Sequence, residues 1–227
     1  MAQNDLKEML DAAVHFGHKT QKWNPKMKKY IFGSRNGIHI FDLAKSKDCL
    51  DKAMEYLKMV SASGKKVLLV STKPQAAQLI LETAEATNMP YVIHKWIGGL
   101  ITNFSTIKQR IKYLRNLKEQ EKTGEIEKYT KKEASDIKKN IIKLEAALGG
   151  VKDLDRVPDV IFVADAVRDQ IVIKEANKVK VPVVAIVDSN ADPDGVAYPI
   201  PGNDDAIKSL TYLINKVKSA IMEGRGK

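Results

Sequence analysis

The residues best equipped for chemistry in this chain are cations. From Ala12 to Phe41 there is no acidic residue, while Lys19, Lys22, Lys26, Lys28, Lys29 and Arg35 all fall within those 30 positions. Trp23, Asn24, Tyr30 and Asn36 are interleaved with them. A second acid-free run, Ala86 to Lys118, carries Lys95, Lys108, Arg110, Lys112, Arg115 and Lys118 beside Trp96 and Asn103. Ammonium and guanidinium groups meet phosphates, aromatic planes stack on bases, and Asn side chains reach sugars and base edges. That is the composition of an RNA-binding surface. Like charges confined to short stretches repel, and a polyanion offsets the cost most readily. The competing reading is a solvated basic face, with Trp23 and Trp96 as ordinary core residues.

A second constellation joins a histidine to carboxylates. Asp188 closes an apolar run, Asp204 and Asp205 open an apolar-periodic segment, and His18 lies in the first cationic window. Strand and helix ends converge in layered folds, giving donors that zinc or a harder divalent cation accepts. The same aspartates also suit a helix N-terminus, which needs no metal.

Other chemistries lack their residues. Ser71-Thr72-Lys73-Pro74-Gln75 follows an apolar run without a glycine-rich phosphate cradle, so a dinucleotide or nucleoside triphosphate has no backbone nest. The Gly98-Gly99 turn allows close backbone approach and suits a phosphate weakly. No nucleophile elbow accompanies a Ser-His-Asp or Cys-His order. Cys49, alone, forms no intramolecular disulfide, which favours a reducing compartment and a quiet thiol. The reading is therefore a non-enzyme that takes no small-molecule substrate. A nucleotide-utilising α/β enzyme is the runner-up, and a protein-interaction scaffold with incidental charge comes third.

Composition agrees. The 227 residues hold 38 Lys and Arg against 28 Asp and Glu, a formal net charge of +10. With 44% hydrophobic and 29% charged residues the chain is globular rather than disordered. The N-terminus carries acids and lacks an apolar run, and nothing approaches the roughly 20 apolar residues of a spanning helix. A cytoplasmic protein with no membrane partner is expected.

The elements that must position these residues alternate strand and helix. Near-continuous apolar runs at Lys66–Ser71, Tyr91–His94, Asp159–Ala164 and Pro182–Val187 predict four strands of a buried parallel sheet. Helices are expected at Pro74–Ala86, Arg168–Val179 and Asp204–Met222, so the fold class is α/β, doubly wound, flavodoxin-like or Rossmann-like. Ahead of this core, Asp5–Val14 reads as a helix. Tyr30–Phe32 and Ile38–Phe41 flank Gly33–Gly37 as a hairpin, and Leu43–Ala62 reads as a helix into the core.

Between the second and third strands lie 64 residues, Lys95 to Pro158, far more than a crossover requires. Ile107, Ile111, Leu114 and Leu117, then Ile137, Ile141, Leu144 and Leu148, define two apolar seams. Thr130 and Glu133 have capping-box spacing. The pattern predicts an antiparallel coiled-coil hairpin over 105–148, inserted in a core of 1–104 and 149–227, with arms about 25 Å long. Its later half mixes acids and lysines and reads as solvated or protein-facing.

Several strings are also recognisable. His15-Phe16-Gly17-His18-Lys19-Thr20-Gln21-Lys22-Trp23-Asn24-Pro25-Lys26-Met27, Trp96-Ile97-Gly98-Gly99-Leu100-Ile101-Thr102-Asn103, Asp188-Ser189-Asn190-Ala191-Asp192-Pro193 and Tyr198-Pro199-Ile200-Pro201-Gly202-Asn203-Asp204-Asp205-Ala206 closely resemble, in order, the family of the second protein of the small ribosomal subunit. Tyr30–Gly33, Gly37–Leu43 and Pro158–Val160 extend the match over essentially the whole chain. The resemblance implies a non-catalytic ribosomal constituent of bacterial type, bound to small-subunit ribosomal RNA (rRNA) where head meets body. It also implies docking of the large first protein of that subunit, which assists messenger RNA binding, and strengthens His18, Asp188, Asp204 and Asp205 as a metal set. Many relatives continue into an acidic tail, whereas this sequence ends Gly224-Arg225-Gly226-Lys227.

Overall fold

The computed structural model describes residues 2–226, with side chains described at 5–126 and 128–226. Lys227, named above with the chain's end, lies outside the described residues. The N-terminal part holds helix α1 (Ala2–Asp11), strands β1 (Phe16–Lys19), β2 (Ile31–Arg35) and β3 (Ile38–Phe41), and helix α2 (Leu43–Ala62). Then come β4 (Val67–Val70), α3 (Pro74–Thr87), β5 (Tyr91–Val92), α4 (Phe104–Lys122) and α5 (Lys131–Leu148). The chain closes through β6 (Val160–Val163), α6 (Gln170–Lys178), β7 (Val183–Val187), β8 (Tyr198–Pro201) and α7 (Ile207–Gly224).

Five strands form a parallel sheet in the order β5-β4-β6-β7-β8. Counted along the core this is the flavodoxin-like order, with its switch point between β4 and β6. Strand residues alternate between two apolar layers. Leu68, Val70, Ile161, Val163, Val183 and Ala185 face one cluster with α4, α5 and α6. Val67, Leu69, Val160, Phe162, Val184 and Ile186 face another with α2, α3 and α7. Burial on both faces is why these runs are apolar throughout.

The fifth strand, β8, is absent from the sequence expectation of four. Two prolines in Tyr198-Pro199-Ile200-Pro201 argue against a strand, yet β8 pairs only with β7, Ala185 opposite Pro199 and Val187 opposite Pro201. At a sheet edge the missing N–H groups interrupt no second ladder.

The N-terminal extension is a three-stranded antiparallel sheet, β1-β3-β2, rather than a two-stranded hairpin. Its turn is narrower than Gly33–Gly37. Gly33 pairs with Ile40 inside β2, and only Asn36 (φ 52) and Gly37 (φ 73) turn the chain. Positive φ at both central residues is the type I′ geometry that selects Asn-Gly.

Three helix bounds also shift. Left-handed Ala13 (φ 60) follows the end of α1. Asp165 Oδ1 accepts from the N–H of Val167 (3.0 Å) and Arg168 (2.8 Å), so that turn precedes α6. Asn203 Oδ1 accepts from the N–H of Asp205 (2.8 Å) and Ala206 (3.0 Å), so α7 starts at Ile207 instead of Asp204.

Helices α4 and α5 run antiparallel, since Lys118 pairs with Glu145 and Arg115 with the main chain at Lys152. Ile107, Ile111, Leu114 and Leu117 are buried against Ile141 and Leu148, in the cluster that also holds Leu68 and Trp96. The Thr130 capping box forms as its spacing predicts: Thr130 Oγ1 accepts from Glu133 N–H and Glu133 Oε2 accepts from Thr130 N–H at 3.1 Å. After α5, Gly150 passes so close to the Tyr91 main chain that a Cβ has no room there. The returning chain thereby covers the short edge strand β5.

Candidate functional site

The first cationic window is spread over β1, β2 and the turns between them. Lys19, Lys22, Lys28, Lys29 and Arg35 are exposed, and none has an ion-pair partner among the described residues. Asn36, also exposed, sits at the hairpin tip, where its left-handed backbone is needed. Lys29 Nζ lies 4.9 Å from the centre of the Tyr30 ring.

Three residues of this window are engaged within the protein. Lys26 Nζ contacts Asp192 at 2.9 Å and Asp194 at 2.5 Å, so tertiary structure brings acids to a lysine that has none nearby in sequence. Asn24 Oδ1 accepts from Lys26 N–H at 3.0 Å and starts the turn that follows. Trp23 is half-buried, its ring 5.1 Å from that of His39.

From the second window, Lys95, Lys108 and Arg110 are exposed. Trp96 is not: only 6% of it is accessible, and its indole N–H donates to Glu175 Oε1 at 3.0 Å. It takes the core role that was the alternative at that position. Exposed Asn103 precedes α4 and accepts from the Thr106 hydroxyl at 2.9 Å, without capping a backbone N–H.

Glu175 is a residue that sequence patterning misses. Besides Trp96 it accepts from the N–H of Gly99 (2.7 Å), Ile101 (3.3 Å) and Thr102 (3.4 Å). Burial alone would raise its carboxyl, but the Gly99 N–H, the Trp96 indole and the other donors together hold it below the usual range. The Gly98-Gly99 turn, considered above for a phosphate, is therefore filled by the protein's own carboxylate. The signal was a lone glutamate on the apolar side of a short helix, indistinguishable in sequence from a surface one.

The carboxyl ends of β4, β6, β7 and β8 converge on a crevice at the switch point, where open α/β sheets bind ligands. His18, Asp188, Asp204 and Asp205 do come together there. His18 Nδ1 is 3.1 Å from Asp188 Oδ1, and its Nε2 is 3.4 Å from Asp205 Oδ2. The β1 segment is held in place by Ser189, whose hydroxyl accepts from His18 N–H at 2.8 Å and whose carbonyl accepts from Asn24 N–H at 2.8 Å. Ligand atoms of His18, Asp188 and Asp204 all lie within 4.8 Å of one another.

Two further residues belong to the cluster. Lys73, buried, lies 2.9 Å from Asp204, 2.7 Å from Asp205 and 3.1 Å from Asp165. The four carboxylates exceed the charge of one lysine, even with His18 protonated. Burial, then Asp188 and Asp165, push the Asp204 carboxyl up to about 7. The hydrogen bond that its ring N–H donates to Asp188 raises His18 despite its partial burial. Neither Asp204 nor Asp205 caps α7; that turn is held by Asn203.

A doubly wound core thus carries two additions, a cationic extension strapped across its crevice and an inserted helical pair. The chain belongs to the ribosomal protein S2 family, whose model matches residues 9–224. It is 47% identical over 225 residues to the small ribosomal subunit protein uS2 of Dictyoglomus turgidum, covering 99% of this chain and 92% of that one. It is 48% identical over 224 residues to the protein of the same name from Mycobacteroides abscessus, covering 99% and 81%. It is thus a protein of the small ribosomal subunit and of translation, in a family of ribosomal constituents rather than enzymes. Among the described residues no helix is long and apolar enough to cross a membrane.

Proposed function

We propose that this protein binds small-subunit rRNA through the exposed cations of its N-terminal extension and of α4, in the cytoplasmic ribosome. The observation that carries the reading is Lys19, Lys22, Lys28, Lys29 and Arg35, exposed and without ion-pair partners among the described residues. Uncompensated charge held on a small antiparallel sheet and its turns suits a phosphate backbone. Asn36 and half-buried Trp23 flank these cations, with Lys95, Asn103, Lys108 and Arg110 as the second set. Family membership supports the further reading that the protein helps to dock the first protein of the subunit for messenger RNA binding. The test is binding to small-subunit rRNA across a salt series. Replacing Lys28 and Lys29 by Ala lowers the log–log salt slope by about 1.5 without changing the melting temperature. Replacing Lys26, already paired with Asp192 and Asp194, changes the slope less; equal slopes for all variants remove the window from the interface.

A divalent cation at the crevice is part of the same reading. An imidazole nitrogen with carboxylate oxygens is a donor set that zinc accepts. The Asp204 carboxyl is pushed up to about 7 first by burial and then by Asp188 and Asp165, and a bound cation would favour its ionised form. His18, Asp188, Asp204 and Asp205 would hold the ion, which would supply charge neutralisation and a cross-link between β1 and the core.

A further inference from the structure

Where the helical pair leaves the core, a cleft of about 510 Å³ opens between α4 and the chain that returns after α5. Lys108, Lys112 and Arg115 line one wall, spaced four and three residues apart and therefore on one stripe of α4. Lys152 stands on the other wall, and Ile111 and Leu154 form an apolar floor, both about 95% buried with 4% and 5% of their surface accessible. The walls are fastened together. Arg115 donates to the Lys152 carbonyl at 2.5 Å, and the Lys108 ammonium reaches the Asp155 carbonyl at 3.4 Å. One exposed acid, Asp155, lines the cleft as well, and its neighbour Asp153 is met by Arg115 at 3.5 Å. Lys112 and Lys152 have no ion-pair partner among the described residues.

Ile111 and Leu154 close the base and are already covered, so the cleft requires of a ligand a flat or compact group that fits between its walls and anionic groups on both sides of it. The volume lies within the roughly 300–1,000 Å³ of sites that enclose a small ligand group. We infer that this cleft receives one unstacked nucleotide of RNA, its base between the two walls above Ile111 and Leu154 and its flanking phosphates on Lys108, Lys112 and Lys152. Recognition of a splayed-out base is how proteins read single-stranded and bulged RNA, because the grooves of an A-form helix hide base edges. The inference rests on the rRNA reading above and locates within it a point where base, and not only backbone, is touched. An apolar protein side chain would fit between the walls but would leave three ammonium groups unmatched.

The experiment uses the intact protein and a small-subunit rRNA transcript carrying 4-thiouridine. Wild type, Lys112→Ala with Lys152→Ala, and Lys28→Ala with Lys29→Ala are compared for salt slope, melting temperature and photo-cross-linked peptides. Expected is a cross-link within 108–115 or 152–155 in wild type. Its loss in the cleft variant should accompany a slope lower by about 1.5 and an unaltered melting temperature. If wild type binds, the Lys28/Lys29 variant weakens, and the cleft variant keeps both slope and cross-links, the cleft is not a nucleotide site while the rRNA reading stands. No binding by wild type overturns both. A cleft cross-linked to protein within assembled subunits overturns the inference in favour of a protein partner.

Discussion

Lys73 Nζ stands 2.9 Å from Asp204 Oδ1, both residues almost wholly inaccessible, and thereby ties the turn after β4 to the turn before α7. Asp165 and Asp205 share the same ammonium. The crevice that other doubly wound proteins use for nucleotides is here lined by an internal cation and its carboxylates. Losing one partner of a buried pair leaves uncompensated charge, so Lys73→Met is expected to cost about 3–5 kcal/mol. Urea denaturation measures it, and a loss within 0.5 kcal/mol would show the cluster to be solvated.

Zinc is expected to raise the melting temperature of the wild-type protein. A ligand at 100 times its dissociation constant stabilises by about 2.7 kcal/mol when it binds only the folded state. His18→Ala and Asp204→Asn should abolish the gain. Thermal melts with zinc and with a chelator check it, and equal melts for wild type would remove the metal from the reading.

Glu175 makes stability fall in acid. Its carboxyl is held below the usual range in the folded protein by the Gly99 N–H, the Trp96 indole and the N–H groups of Ile101 and Thr102, against the effect of burial. A depressed acid binds fewer protons folded than unfolded. The stabilisation is therefore complete above the unfolded value of about 4.3 and is lost as pH falls through the folded one. Glu175→Gln should flatten that part of the stability–pH curve, measured by urea titration at a series of pH values. A curve unchanged in shape would contradict the assignment.

Gly150→Ala should be destabilising by about 1–3 kcal/mol, because the added methyl overlaps the Tyr91 carbonyl at the sheet edge. Gly98→Ala is the control, since nothing lies within 4 Å of a Cβ there. Comparable losses at both positions, read from denaturant midpoints, would mean that backbone freedom rather than contact decides.

Period and charge are local properties, and what depended on them was legible. Four parallel strands, the helices between them and the two seams from Ile107 to Leu148 follow from which side chains can be buried at spacings of two or of three and four. The Thr130 capping box follows from two residues three apart. Edge strand β8 was hidden because its prolines are tolerable only where no second neighbour pairs, and position in a sheet is not written in four residues. The gathering of His18 with Asp188, Asp204 and Asp205 was anticipated as a convergence of strand and helix ends; Lys73 at its centre was not.

By itself the amino-acid order determined the class of fold, the inserted helical pair and two stretches rich in positive charge, since each rests on neighbours in the chain. Only tertiary structure decided which of those charges stay free. Folding carries Asp192 and Asp194 to Lys26, Glu145 to Lys118 and Glu175 to the indole of Trp96, while Lys28, Lys29 and Arg35 are left to solvent. Coulomb and hydrogen-bond energies depend on distance in space, and residues far apart in the chain acquire such distances only when the sheet and its crossovers have closed.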